Sequence, residues 1–387
     1  MDKQETLEIR KLLTKNNCRI DRIAGCFVDE NGQVITDLKD TWRAMPEEEV
    51  EKYCELFRKT LTGKQGKNLF HLEFPLREEE EGGRQNLMYR VLQDNFHDSA
   101  LVQGFCRQII QNLSLMGRYL ILLGHGAYDI PAKPSDGTQM DDASEYVYLF
   151  LVCCICPVTE IKEGLCFDEE SLTFINKRSD LGVQAPEVGF LFPEFNDRAP
   201  DIHAVQWYAK KEEERHPELI DGLVGGDMPV TVSAQKEQFK DIVEQTLGRD
   251  CDFENVKSLT EAVDEMLKEQ KDNPEPVELG KTEVRRLLHE SGAAPDSLGQ
   301  TFEESFDEMV GEGGTINAES IGGRSVMEIR SPSVKISVKS DMTQMITTRI
   351  IDGREYLLIP VQDNIELNGI RILNSRRLQE DQPEERD

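Results

Sequence analysis

Apolar positions along the chain follow three rhythms. Residues 5–15 carry the three- and four-residue spacing of a short amphipathic helix. The same spacing returns after Pro46, where Val50, Tyr53, Cys54, Phe57 and Leu61 make one face. Pro46 suits a helix start, and Glu47, Glu48 and Glu49 place carboxylates where the helix dipole favours them. Residues 84–114 read as a further helical stretch. A second rhythm is alternation. It marks strands across residues 20–35, with Asn31-Gly32 as a two-residue hairpin turn, and across KNLFHLEFPL at 67–76. FLFPEF and IHAVQWYAK read as two more strands joined by a polar turn. The third rhythm is the unbroken apolar run, seen in residues 118–123 and 146–158, with GHGAYDIPAKPSDG as a long loop between them. Cys166 to Asn176 is placed to hairpin back.

Beyond Gly225 the character changes. Ser258–Glu261 and Thr301–Glu304 read as capping boxes, each followed by an apolar helical face, so about four short helices are expected. Alternation then returns at Val334, Ile336 and Val338, with Asp352-Gly353 and Asn368-Gly369 as hairpin turns. Helices and strands mix without a regular βαβ order, so the expected class is α+β. The boundaries read as an N-terminal α+β domain at 1–228, a helical segment at 229–312, a small β-rich module at 313–373 and a disordered tail at 374–387.

Charge sharpens that division. The 387 residues carry a formal net charge of −29. Residues 233–312 hold 21 acids against nine bases, whereas residues 320–371 hold six against seven. A surface so acidic repels nucleic acid and anionic membranes at long range and suits a basic protein partner. No apolar run reaches the ~20 residues of a membrane helix, and the N-terminal sequence lacks a signal-peptide pattern, so a cytoplasmic setting is expected. Nine cysteines without a regular framework then read as reduced thiols.

GKNLFHLEFP, AYDIP with the following SDG, ICPV, FLFPEFNDRAPDIH and IDGREYLLIPV, in that order, resemble a bacterial family known as domain of unknown function 4317. The resemblance runs from the first helix to about Leu373. It implies a cytosolic bacterial protein and assigns no activity, so it transfers no catalytic residue.

Candidate chemistry is sparse. In LFLVCCICPV, strand periodicity puts Cys154 and Cys156 on one face and Cys153 on the other. Cys154, Cys156 and Cys166, with His125 as a fourth group if its strand is a neighbour, are the candidate thiolate metal ligands. The structural reading, cysteine as a small hydrophobe in a buried strand, is preferred. His125 between two glycines with Asp129 four residues on is a candidate general base. Asp197, Arg198, Asp201 and His203 in FNDRAPDIH could hold a divalent ion or a phosphate, although such residues also brace turns. LTGKQGKN lacks the spacing of a phosphate loop, and there is no nucleophile elbow or zinc-protease motif. No cofactor is expected, although a divalent metal has candidate ligands. The leading expectation is a non-catalytic binding or regulatory protein. The alternatives are a metal- or phosphate-handling hydrolase using His125, Asp129, Asp197, Asp201 and His203, and nucleic-acid association through Arg324, Arg330, Lys335 and Lys339.

Overall fold

A computed structural model describes residues 1–14, 17–38, 42–131, 144–161, 164–168, 173–177, 180–226, 228–270, 277–323, 326–360, 365–367 and 370–372. The expected tail at 374–387 lies outside these. The chain divides into two compact units, Met1–Thr231 and Val232–Asp387. The fold is α+β.

In the first unit the elements run α1 (Lys3–Lys11), β1 (Ile20–Val28), β2 (Val34–Asp37), α2 (Glu47–Lys59), β3 (Leu69–Glu73), α3 (Arg84–Asp94), α4 (Ser99–Asn112), β4 (Arg118–Pro131) and β5 (Ser144–Ile161). They continue β6 (Gly164–Asp168), β7 (Thr173–Lys177), β8 (Asp180–Val183), β9 (Val188–Phe192), β10 (Glu194–Asn196), β11 (Ala199–Asp201), β12 (Ala204–Ala209) and α5 (Pro217–Leu223). One sheet is ordered β2-β1-β4-β5-β9-β12-β3, with β8 also on β5, and every pairing is antiparallel.

Helices cover both faces of this sheet. Cys54, Phe57 and Leu61 from α2 and its C-terminal end, with Ile9 of α1, pack on one face against Leu122, Phe150, Val152, Cys154 and Cys156. Met88, Val91, Phe105, Ile109 and Leu219 of α3, α4 and α5 pack on the other against Ile121, Leu123, Leu151, Cys153 and Ile155. Successive residues of β5 therefore enter alternate cores, and a strand covered twice needs apolar side chains at every position. That is the physical origin of the run LFLVCCICPV. Burying each large apolar side chain there contributes about 1.5–3 kcal/mol.

In the first unit four expectations change on contact with the structure. β4 does not stop at Leu123 but continues to Pro131, so His125 and Asp129 lie in a strand rather than a loop. Its glycines serve close approach, not turning. A Cβ on Gly124 would lie 2.7 Å from Phe57 Cζ, and one on Gly126 would lie 2.3 Å from Phe150 Cζ. Residues 84–114 split into two helices, because Asn95 and Phe96 turn left-handed and the Asp98 side chain accepts from Ala100 N to start α4. At residues 29–33 the turn is longer than two residues. Only Gly32 has positive φ, and the Asp29 carboxylate takes the amides of Asn31 and Gln33, both at 2.8 Å. FNDRAPDIH is not a simple turn between two strands but builds the extra hairpin β10–β11.

The second unit contains α6 (Val232–Leu247), α7 (Phe253–Glu269), β13 (Glu278–Leu279), α8 (Lys281–Glu290), α9 (Gln300–Val310), β14 (Ile316–Asn317) and α10 (Ala318–Ile321). After these come β15 (Val326–Arg330), β16 (Lys335–Lys339), β17 (Thr347–Ile351), β18 (Arg354–Leu358), β19 (Ile365–Leu367) and β20 (Ile370–Ile372). Ile242, Leu259, Val263, Val284, Leu287, Phe302, Phe306 and Ile316 form its core. Neither expected capping box caps a helix. The Asp252 side chain accepts from Asn255 N at 2.9 Å and starts α7 five residues before Ser258, while α9 starts at Gln300 behind Gly299. Asp352-Gly353 does form the expected hairpin turn, with φ of 50° and 75°. Asn368-Gly369 lies outside the described residues, between the paired strands β19 and β20. Among the described residues no helix is long and apolar enough to cross a membrane.

The close seat of Phe150 on Gly126 is testable by urea denaturation. Gly126→Ala is expected to lower stability by about 1–3 kcal/mol, since the added methyl meets the ring and also the Arg19 carbonyl at 2.8 Å. An unchanged midpoint would show that the sheet has room there.

Candidate functional site

The sheet decides which candidate residues can meet. Leu122 pairs with Cys154 and His125 with Leu151 on adjacent strands. Parity then puts His125 on the opposite face from Cys154 and Cys156. The His125 ring stands edge-on to Phe96 at 6.1 Å, on the side of the α3–α4 core, while Cys154 and Cys156 face α2. All three cysteines of β5 are fully buried, and burial pushes the thiols of Cys153 and Cys154 up, away from the thiolate that a metal needs. The Cys166 side chain lies outside the described residues. Among those residues, no three His, Cys, Asp or Glu side chains gather as metal ligands.

His125 has a carboxylate partner, but it is Asp21 of β1, at 2.7 Å from Nδ1, not Asp129. Four residues along one strand separate His125 from Asp129 by about 13 Å, and Asp129 is exposed. The ring itself is only 3% exposed, so the pair ties β1 to β4 beneath Phe96.

The hairpin β10–β11 holds the other group. Asp197 and Arg198 occupy its turn, both with positive φ. Arg198 Nη1 reaches Glu8 Oε2 at 3.1 Å, its Nη2 donates to the Pro131 carbonyl at 3.2 Å, and Tyr128 donates to Glu8 at 2.7 Å. Arg198 thus fastens the hairpin to α1 and the end of β4. Asp201 accepts from the His203 amide at 3.1 Å, and His203 Nδ1 lies 2.6 Å from Glu79 Oε1. That hydrogen bond raises the His203 pKa. His203 leads into β12, which is three strand spacings, roughly 14 Å, from the β4 of His125. The two histidines have separate carboxylates and no common site.

A polar cluster that the sequence reading overlooked lies beside this hairpin. Glu194 is fully buried, and its carboxylate meets His71 Nδ1 and, at 3.1 Å, the Met1 amine. On the neighbouring strand Gln206, also fully buried, accepts from Gln65 at 3.0 Å and donates to the Phe70 carbonyl at 3.0 Å. Tyr148 donates to the Pro193 carbonyl at 2.6 Å. The signal was available in the pattern. His71 and Gln206 are directly opposite one another in β3 and β12, and Gln206 is the one polar side chain of an apolar β12 apart from the Tyr208 hydroxyl. Glu194 is the one charged residue of FLFPEF.

The hydrogen bond to Glu194 is the largest influence on His71 and raises its pKa above the ordinary value, with burial opposing it. A group whose pKa rises on folding contributes stability below its unfolded pKa of about 6.5 and loses it as pH climbs through the folded value. His71→Gln should therefore destabilise more near pH 6 than near pH 9. The ring is 44% exposed, so screening holds the difference to about 1 kcal/mol or less. Thermal denaturation at both pH values reads this, and a penalty that grew with pH would refute the assignment. NMR titration of His71 in Glu194→Gln should show its pKa falling.

Residues 1–370 match the family described as Domain of unknown function (DUF4317). No curated protein and no solved structure matches the chain. Since the matched stretch is nearly the whole chain, the protein belongs to the DUF4317 family.

Proposed function

We propose that the protein acts by binding a basic protein partner, through its second unit, rather than by turning over a substrate. The hairpin β17–β18 carries this reading. Ile350 is 76% exposed, and Ile351, Tyr356 and Ile359 are each exposed by more than two-fifths. In the antiparallel register Ile351 and Tyr356 lie on one face and Ile350 on the other, so the end of the hairpin is apolar on both sides. Large apolar side chains displayed together mark an interaction surface, and a two-stranded ribbon gains stability from a third strand. β18 has no strand at its outer edge among the described residues. A partner segment that adds as a strand would satisfy that edge and cover Tyr356.

The chemistry of the partner follows from the neighbourhood of the hairpin. Thr348 N donates to Glu254 Oε1 of α7 at 3.2 Å, so the ribbon emerges beside a helix that also carries Glu261, Asp264, Glu265 and Glu269. An apolar strand flanked by lysine or arginine fits both features. The hydrolase reading has less support, because His125 and His203 stand apart and each has a carboxylate partner of its own. For the nucleic-acid reading, Arg330 and Lys335 both pair with Glu328, at 2.5 and 2.9 Å, which leaves less positive charge for phosphate. Arg324 lies outside the described residues.

Affinity purification of the full chain from native extract, treated with nuclease and read by cross-linking mass spectrometry, tests the proposal. The wild type should retain a stoichiometric basic protein cross-linked to β18. The variant Ile350→Asp with Tyr356→Asp, both at exposed positions, should lose at least about ten-fold of it, the equivalent of 1.4 kcal/mol. Equal recovery by the variant would sink the reading. A bound species that disappears with nuclease would turn the assignment to nucleic acid.

A further inference from the structure

Six cysteines of the first unit lie in three neighbouring pairs, and one pair differs from the others in a way that matters chemically. Cys18 Sγ and Cys54 Sγ are 3.0 Å apart. Cys26 neighbours Cys106, and Cys154 neighbours Cys156. Cys26 and Cys106 are 1% and 3% exposed, and Cys154 and Cys156 are fully buried. Only in the first pair does one partner, Cys18, reach the surface, while Cys54 is buried on α2 against the core. We propose that Cys18 and Cys54 are a dithiol oxidation site that a peroxide converts to a disulfide.

Geometry favours this pair on three counts. The two sulfurs come from separate elements, the segment before β1 and the middle of α2, and already touch, so about 1 Å of approach completes a bond of roughly 2.0 Å. Cys154 and Cys156 instead alternate along one strand. Their Cα atoms are held about 6.7 Å apart by ladders on both sides, at the upper limit for a disulfide. Cys26 and Cys106 face each other across the interior, where an oxidant does not reach. Protonation state supports the same order of events. The hydrogen bond from Cys54 lowers the Cys18 pKa, while the Cys54 thiol is pushed up. Cys18 is the nucleophile, because the thiolate is the form that attacks.

The chemistry balances with hydrogen peroxide as the oxidant. The Cys18 thiolate attacks one peroxide oxygen, an S–O bond forms, the O–O bond breaks, and the departing hydroxide takes a proton to leave as water. Cys18 is then a sulfenic acid. The Cys54 sulfur attacks it, the S–S bond forms, the S–O bond breaks, and the Cys54 proton leaves with the hydroxide as a second water. The two thiols together lose two electrons and the peroxide gains them. A dithiol reductant reverses the product by exchange. The disulfide closes a loop of 36 residues and fastens α2 to the entry of β1, which constrains the unfolded chain.

The test uses the full chain, fully reduced, exposed to hydrogen peroxide, alkylated and mapped without reduction by mass spectrometry. The expected main product is the peptide pair joining Cys18 to Cys54, with two alkylatable thiols lost. A rise in melting temperature of roughly 10 °C should accompany it and vanish on adding dithiothreitol. Cys18→Ser, at a partly exposed position, should abolish both effects. Cys54→Ala should instead leave Cys18 to advance to sulfinic acid, which separates loss of the partner from loss of the fold. Accumulation of Cys18 sulfinic acid in the wild type would overturn the proposal. So would a Cys26–Cys106 disulfide formed as readily, or no cross-link at all.

Discussion

The antiparallel pair β4–β5, buried on both faces, is the constraint on which the first unit depends. A strand that feeds two cores has no position for a hydrated side chain, so its sequence loses alternation and becomes continuously apolar. It also needs places where neighbouring rings can approach the backbone. Gly124 and Gly126 provide these, one beneath Phe57 of α2 and the other beneath Phe150 of the adjacent strand. Cysteine fits the same requirement as a compact apolar residue, and three of them stand in β5, divided between the two cores.

The same constraint sorts the polar groups. Within the sheet, a polar side chain is retained where a partner reaches it, as His125 meets Asp21 of the neighbouring strand and Gln206 meets Gln65 from the segment before β3. Glu194, the first residue of β10, is fully buried and matched by His71. Arg198, which in sequence sits among carboxylates, spans from the hairpin to Glu8 of α1 instead. These contacts join elements far apart in the chain. They act as braces, and a buried carboxylate without its partner costs more than the pair gains.

The second unit solves a different problem. Its helices build a core of their own around Phe302 and Phe306, but its C-terminal strands form isolated two-stranded ribbons. Acidic residues are concentrated in the helical stretch, whereas the ribbon stretch is nearly neutral, so the unit's charge is uneven beside exposed apolar strands. The exposed apolar side chains Ile350, Ile351, Tyr356 and Ile359 are spread along one of these ribbons.

The sequence by itself determined the class of fold, the strands and helices with strong periodicity, and the Asp352-Gly353 turn, because each follows from local spacing and local backbone preference. It also determined that Cys154 and Cys156 share a face opposite Cys153, which follows from the period of a strand alone. Only the tertiary structure decided that GHGAYDIP is strand and not loop, because the glycines there answer to rings brought in from α2 and β5. Only it separated His125 from Cys154 and from His203, since face and strand order are properties of the assembled sheet. The Glu194–His71 pair and the Cys18–Cys54 contact belong with these. Their partners are far apart in the chain, and no local pattern specifies which distant side chain will be waiting when the sheet closes.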